Sequence, residues 1–136
     1  MASPLAAGPA SLLRATATAR AEYYSHLLLG VSQKPLLVQG TQPLLYPGVR
    51  EDCYVPSVLS GVWSSTAAGG AGAVIVVLAN PTDVAQSVTV VGLRRVLMAE
   101  SSTVVTFAAG ARIVSQILAG DAVRVPAFGV AVLLPL

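Results

Sequence analysis

Residues 73–91, AVIVVLANPTDVAQSVTVV, constrain the fold more than any other stretch of this chain. The run from Ala73 to Ala79 is apolar without alternation, so it should be a central strand covered on both faces. Asn80-Pro81-Thr82-Asp83 then reads as a tight turn. Proline presets one backbone dihedral there, and Asn or Asp side chains bond the local backbone. Beyond the turn, Val88 and Val90 alternate with Ser87 and Thr89, the period of a half-buried strand. The chain closes on a related pattern, VRVPAFGVAVLLPL, in which Val123 and Val125 flank Arg124.

The strand signal is persistent from Val58 onward. Strands are expected near 58–64, 73–79, 86–91, 94–98, 102–107, 111–117, 121–125 and 128–134. Residues 66–72, TAAGGAG, form a flexible loop between two of them, and Gly92 and Gly110 mark further turns. Such short links leave no room for crossover helices, so antiparallel hairpins are expected. On strand 58–64, Trp63 shares a face with Leu59, which should point inward. Upstream, Pro35, Pro43, Pro47 and Pro56 punctuate the chain. The extended pieces between them, at 36–39, 44–46 and 54–55, should be edge strands or connections, because proline removes a ladder donor.

The N-terminal part reads differently. Residues 1–10 are small and carry Pro4, Gly8 and Pro9, a composition expected to give a poorly ordered lead-in. From Ser11 to about Leu29 the spacing is helical, with Ser11 as the cap and Gly30 as the stop. Leu13, Ala17, Ala21, Tyr24 and Leu28 fall on one face. That face should pack on the sandwich or stay exposed toward a partner. The first 21 residues contain no acid and carry Arg14 and Arg20, which also suits an organellar transit peptide. The ordinary helix is the favoured reading.

A chain of 136 residues is most simply one domain with a real core. Its 54% apolar and 10% charged content is unusual, and suggests that some surface meets a partner or belongs to a larger polypeptide. The net charge is +2, and the seven arginines and one lysine are scattered. No basic stripe interleaved with aromatics speaks for nucleic acid. The single cysteine, Cys53, excludes an internal disulfide framework. The dense apolar pieces are too short to span a bilayer as helices, so no membrane span is expected.

Reactive side chains are sparse. GGAG at 69–72 precedes a strand, whereas a phosphate-cradling loop follows a strand and opens a helix. His26 is the sole histidine, and without a second His or Cys at ligand spacing no metal is expected. His26 with Cys53 or a serine can be imagined as a base–nucleophile pair, but no Gly-x-Ser-x-Gly elbow accompanies it. Glycosidase chemistry needs two carboxyl groups facing each other across a sugar ring. Among Glu22, Glu51, Asp52, Asp83, Glu100 and Asp121, no such pair announces itself. No cofactor is implied. Tyr23, Tyr24, Tyr46, Tyr54 and Trp63 suit either core and interface packing or a sugar-stacking platform. If carbohydrate is bound, Tyr46, Tyr54 and Trp63 are the candidate ligand-binding residues.

RATATARAEYYSHLLLGVSQKPLL, residues 14–37, resembles the last barrel helix and exit of certain TIM-barrel glycoside hydrolases. VWSS at 62–65, VIVVLANPTD at 74–83 and the VRVPAFGVAVLLPL ending are similar to the small antiparallel β-sandwich that closes such enzymes. The likeness is to poorly characterised, domain-of-unknown-function members of that class, and covers the chain from about residue 12. In those enzymes the catalytic carboxylates lie on the barrel, so the resemblance carries no catalytic residue over to this chain. It implies a fragment or detached accessory domain whose partner is a catalytic barrel.

The expected fold is mainly β: an antiparallel β-sandwich of about 7–8 strands preceded by one N-terminal α-helix. Its divisions are a lead-in at 1–10, a helix at 11–30, a proline-rich extended connection at 31–57 and the sandwich at 58–136. The expected role is a non-catalytic accessory domain that stabilises a barrel. The alternative is a carbohydrate-binding module.

Overall fold

In the computed structural model the backbone is described for residues 4–23, 27, 31–40, 43–46, 53–64, 74–108 and 110–135, and side chains within 10–23, 27, 31–40, 57–64, 74–108 and 110–135. The chain is mainly β, as expected. In order it forms α1 (Pro4–Glu22), β1 (Val31–Gln33), β2 (Val38–Gln39), β3 (Pro43–Tyr46), β4 (Cys53–Pro56), β5 (Leu59–Ser64), β6 (Val74–Asn80) and β7 (Gln86–Val90). A short helix α2 (Leu93–Leu97) follows, then β8 (Ser101–Ala108), β9 (Ala111–Leu118), β10 (Val123–Val125) and β11 (Gly129–Pro135).

One sheet has six strands in the order β1-β5-β6-β11-β8-β9, and a second has three in the order β10-β7-β2. All pairings in both are antiparallel. β3 and β4 pair only with each other. Of the expected proline-flanked pieces, 36–39 supplies β2 at the edge of the small sheet and 44–46 and 54–55 supply β3 and β4, whereas β1, which borders the large sheet, precedes them and was not expected.

The large sheet is covered on both faces, and its central strands show why. Side chains alternate across a strand. On β11, Ala131 and Leu133 enter the core facing the small sheet, while Val130 and Val132 enter the core facing α1. On β6, Val76 and Leu78 face the small sheet and Ile75 faces the helix. This double burial explains the unbroken apolar run of β6. The small sheet contributes Val38, Val88, Val90, Val123 and Val125, and α1 contributes Ala15 and Ala19. Burying one such large side chain is worth about 1.5–3 kcal/mol. The ion pairs among the described residues are at the surface, where they contribute little, so apolar packing dominates the stability of this part.

The opening motif holds the largest correction. Asn80-Pro81-Thr82-Asp83 is a turn, but β6 and β7 belong to different sheets. The link is an arch across the core, not a hairpin. β10 and β11 are joined by a second arch of the same kind. One buried side chain serves both. Asn80 Nδ2 donates to Val84 O at 2.8 Å in the first arch, and to Val125 O and Pro126 O at 3.2 Å in the second. Its Oδ1 accepts from Thr82 N at 3.0 Å and Thr82 Oγ1 at 2.6 Å.

Residues 94–98 were expected as a strand, and 93–97 are instead helical. Gly92 and Met98 take left-handed φ values of 82° and 54° at the two ends. Leu93 and Leu97, four apart, are buried, whereas Arg94 and Arg95 are exposed. That 3.6-residue logic outweighs the local β-propensity. Helix α1 begins at Pro4 and not at Ser11. Proline suits a first helical position, and Ala6, Ala7 and Ala10 favour helix despite Gly8 and Pro9. The predicted stop, Gly30, lies outside the described residues.

The buried face of α1 also differs. Ala15 and Ala19 are buried, with Leu12, Tyr23 and Leu27 packed beside them. Leu13 is 72% exposed, and Ala17 and Ala21 are exposed as well. Alanines lie on more than one side of the helix, between Arg14, Thr16, Thr18 and Arg20, so spacing alone does not choose a face. Alanine chooses it, because a methyl lets the helix backbone approach β8 and β11 closely. Tyr24 and Leu28 lie outside the described residues.

Candidate functional site

Of the three aromatic candidates, only Trp63 has a described side chain. Trp63 lies on β5 opposite Ile75 of β6 and Ser32 of β1. Its indole folds back along its own strand, where a Cβ built on Gly61 would overlap ring atoms Cη2 and Cζ3. The ring is half-buried and packs against the helix-side core. Leu59, expected to point inward on the same face, is 61% exposed, because α1 covers the centre of the sheet and not that end. The backbone of Tyr46 pairs with Cys53 and that of Tyr54 with Leu45. The side chains of Tyr46, Tyr54 and Cys53 lie outside the described residues, as does His26.

The described acids are dispersed, and three of the four, Glu22, Glu100 and Asp121, are locally engaged. Glu22 at the end of α1 accepts from Arg112 Nε on β9 at 2.7 Å. Glu100 accepts from Arg94 at 2.7 Å in an exposed pair. Asp121 Oδ2 accepts from the Leu118 amide at 3.2 Å and caps the end of β9. Asp83 is exposed on the first arch. Glu51 and Asp52 lie outside the described residues. Among the described residues there is no group of three His, Cys, Asp or Glu side chains that could hold a metal, and no helix long and apolar enough to cross a membrane.

Among the described residues, Tyr23 carries the one large shift. Burial, then the hydrogen bond and negative charge of Glu22, push its phenol up to about 12, and Arg112 opposes them weakly. A phenol held neutral to that pH is a structural group, not a base at neutral pH.

The surface is more distinctive than the polar groups. One feature is the outward line of Leu13, Ala17 and Ala21 on α1. The other is β9, where seven of eight residues are exposed. Ile113, Val114 and Leu118 on it are 62%, 52% and 61% exposed. β10 has only three residues, so the small sheet stops short of this edge. A groove of about 270 Å³ remains there, lined by Thr106, Ala108, Ile113, Ser115, Arg124 and Pro126. The sequence did carry a signal for β9: ARIVSQIL lacks the clean alternation of a strand with one wet face. No protein-family model, curated protein or solved structure matches the chain.

Proposed function

We propose that this chain is a non-catalytic accessory β-sandwich domain that packs against the catalytic barrel of a glycoside-hydrolase-like protein. The observation that carries the reading is the exposed apolar line of Leu13, Ala17 and Ala21 on α1, opposite the face that docks on the sheet. A helix coated on one side by its own sandwich and apolar on the other suits a position between two packed units. The dispersed described acids, three of the four engaged, agree with a supporting role, since glycoside hydrolysis needs two facing carboxyl groups.

The test pairs a surface measurement with a genetic one. The folded chain is titrated with 8-anilinonaphthalene sulfonate beside a Leu13→Glu/Ala17→Glu variant. Dye binding that falls in the variant is expected. No dye binding by the parent chain counts against an apolar docking face. The DNA upstream of the Met1 codon is expected to encode a barrel in frame, and an unrelated gene ending there would sink the proposal.

A further inference from the structure

β9 is the outer strand of the large sheet, and no described strand pairs with its free side. Two contacts fix which of its amides face outward. The Ala119 N–H donates to Glu100 O at 2.8 Å, toward the β8 side, whereas the Leu118 N–H donates to Asp121 Oδ2 at 3.2 Å, away from it. Thr106 Oγ1 on β8 donates to Ile113 O at 3.4 Å, which turns that carbonyl inward. By the alternation of an antiparallel ladder, Arg112, Val114 and Gln116 present their backbone groups to the free edge.

Natural sheets blunt such edges with short strands, lysines, prolines or bulges. β9 is eight residues long, pairs with β8 without a bulge, and contains neither Lys nor Pro. Its one charge, Arg112, is held by Glu22.

We infer that β9 pairs antiparallel with β9 of a second copy of this chain, joining two six-stranded sheets across a two-fold axis. The strand itself selects this occupant. Asp121 already holds the Leu118 amide, so the free ladder groups are those of Arg112, Val114 and Gln116. One register uses all three: Val114 opposite the partner's Val114, and Arg112 opposite the partner's Gln116. The neighbouring register, with Val114 opposite the partner's Gln116, requires the occupied Leu118 amide. In the favoured register no like charges meet, the two valines close over the axis, and Ile113 lies beside the partner's Ser115. The contact is self-complementary, as a two-fold interface must be.

The test uses the full chain. Light scattering across the micromolar range is expected to show a dimer. Val114→Pro removes an amide that faces away from β8, so it should give a monomer with the β-sheet circular dichroism retained. Val114→Lys places two ammonium groups across the axis and should do the same, and it stands in if the proline variant misfolds. In a Cys53→Ser background, Val114→Cys is expected to cross-link under mild oxidation and Gln116→Cys to stay largely uncross-linked, since opposed Cα atoms in a hydrogen-bonded pair are about 5.5 Å apart. A parent chain that stays monomeric overturns the proposal. So does a dimer that survives both Val114 substitutions, or equal cross-linking at 114 and 116.

Discussion

Arg112 Nε on β9 donates to Glu22 Oε1 at 2.7 Å, which ties the last residue of α1 to a strand ninety positions later. The fully buried contacts of the helix, Ala15 and Ala19, lie on its earlier turns, whereas Tyr23 and Leu27 at and beyond its end are only partly buried. The ion pair therefore fixes the end of α1 where packing is thinner. Both side chains are partly exposed, so the pair should matter locally and little to global stability. Glu22→Gln is expected to speed amide exchange in the last turns of α1 while β6, β8 and β11 keep their protection. Hydrogen exchange read by mass spectrometry makes the comparison, and unchanged exchange in α1 would mean that the alanine contacts suffice.

Tyr23, next to that pair, gives the pH dependence its sign. Its phenol is pushed up to about 12 from 10.0, chiefly by burial and then by Glu22. The folded state therefore keeps a proton that the unfolded state has released. This contribution to stability is complete below pH 10 and is lost as pH rises toward 12. Helix docking should weaken across that window, and Tyr23→Phe should flatten the dependence. Titration of tyrosinate absorbance in the two proteins tests this. A difference curve centred near 10 would show that the phenol does not feel the site.

The sequence was legible where one force dominated. Continuous apolar character marked β6 as central, and the Val123/Arg124/Val125 alternation gave β10 with both valines buried and the arginine exposed. It was illegible where several arrangements satisfied the same pattern. The Asn80 turn suits a hairpin and an arch equally; the placement of β6 and β7 in different sheets, with Asn80 bonded to the second arch, distinguishes them. Residues 93–97 contain two leucines and a valine that fit either period, until Gly92 and Met98 adopt positive φ at the ends. On α1, leucine hydrophobicity pointed to the Leu13 face, whereas close approach selected Ala15 and Ala19. The candidate surface was hardest to foresee, because exposure of Ile113 depends on where the small sheet ends and that of Val114, on the other face, on how far α1 reaches.

Trp63 offers a direct optical readout, being the only tryptophan. Its ring occupies the space that a side chain at Gly61 would need. Gly61→Ala should push the indole away from β5 and toward water. A red shift and easier quenching by acrylamide are expected, with the sheet intact, since the obstructing atoms belong to a movable side chain. An unshifted spectrum would place the indole elsewhere on the sheet.

Asn80 should be the most sensitive polar position in the described chain. It is fully buried, and its amide joins the two arches that carry the chain between sheets. Asn80→Ala removes a donor from Val125 O and the acceptor of the Thr82 amide, while Val84 O keeps Thr82 Oγ1 and Pro126 O keeps the Gly129 amide; unsatisfied buried groups cost about 1–3 kcal/mol each. Some of that cost is relieved by relaxation, so a loss of about 2–4 kcal/mol is expected. Asn80→Asp keeps the shape but aims a carboxylate oxygen at those carbonyls, so it should be worse than alanine near pH 7. Burial and the facing carbonyls would raise the pKa of the new carboxyl in the folded state. Stability of the aspartate variant relative to alanine should then recover as pH falls and the acid becomes a donor. Urea unfolding of the three proteins at neutral and mildly acidic pH measures both effects. An alanine variant within about 0.5 kcal/mol of the parent, the range of an ordinary surface change, would show that the arches hold without Asn80.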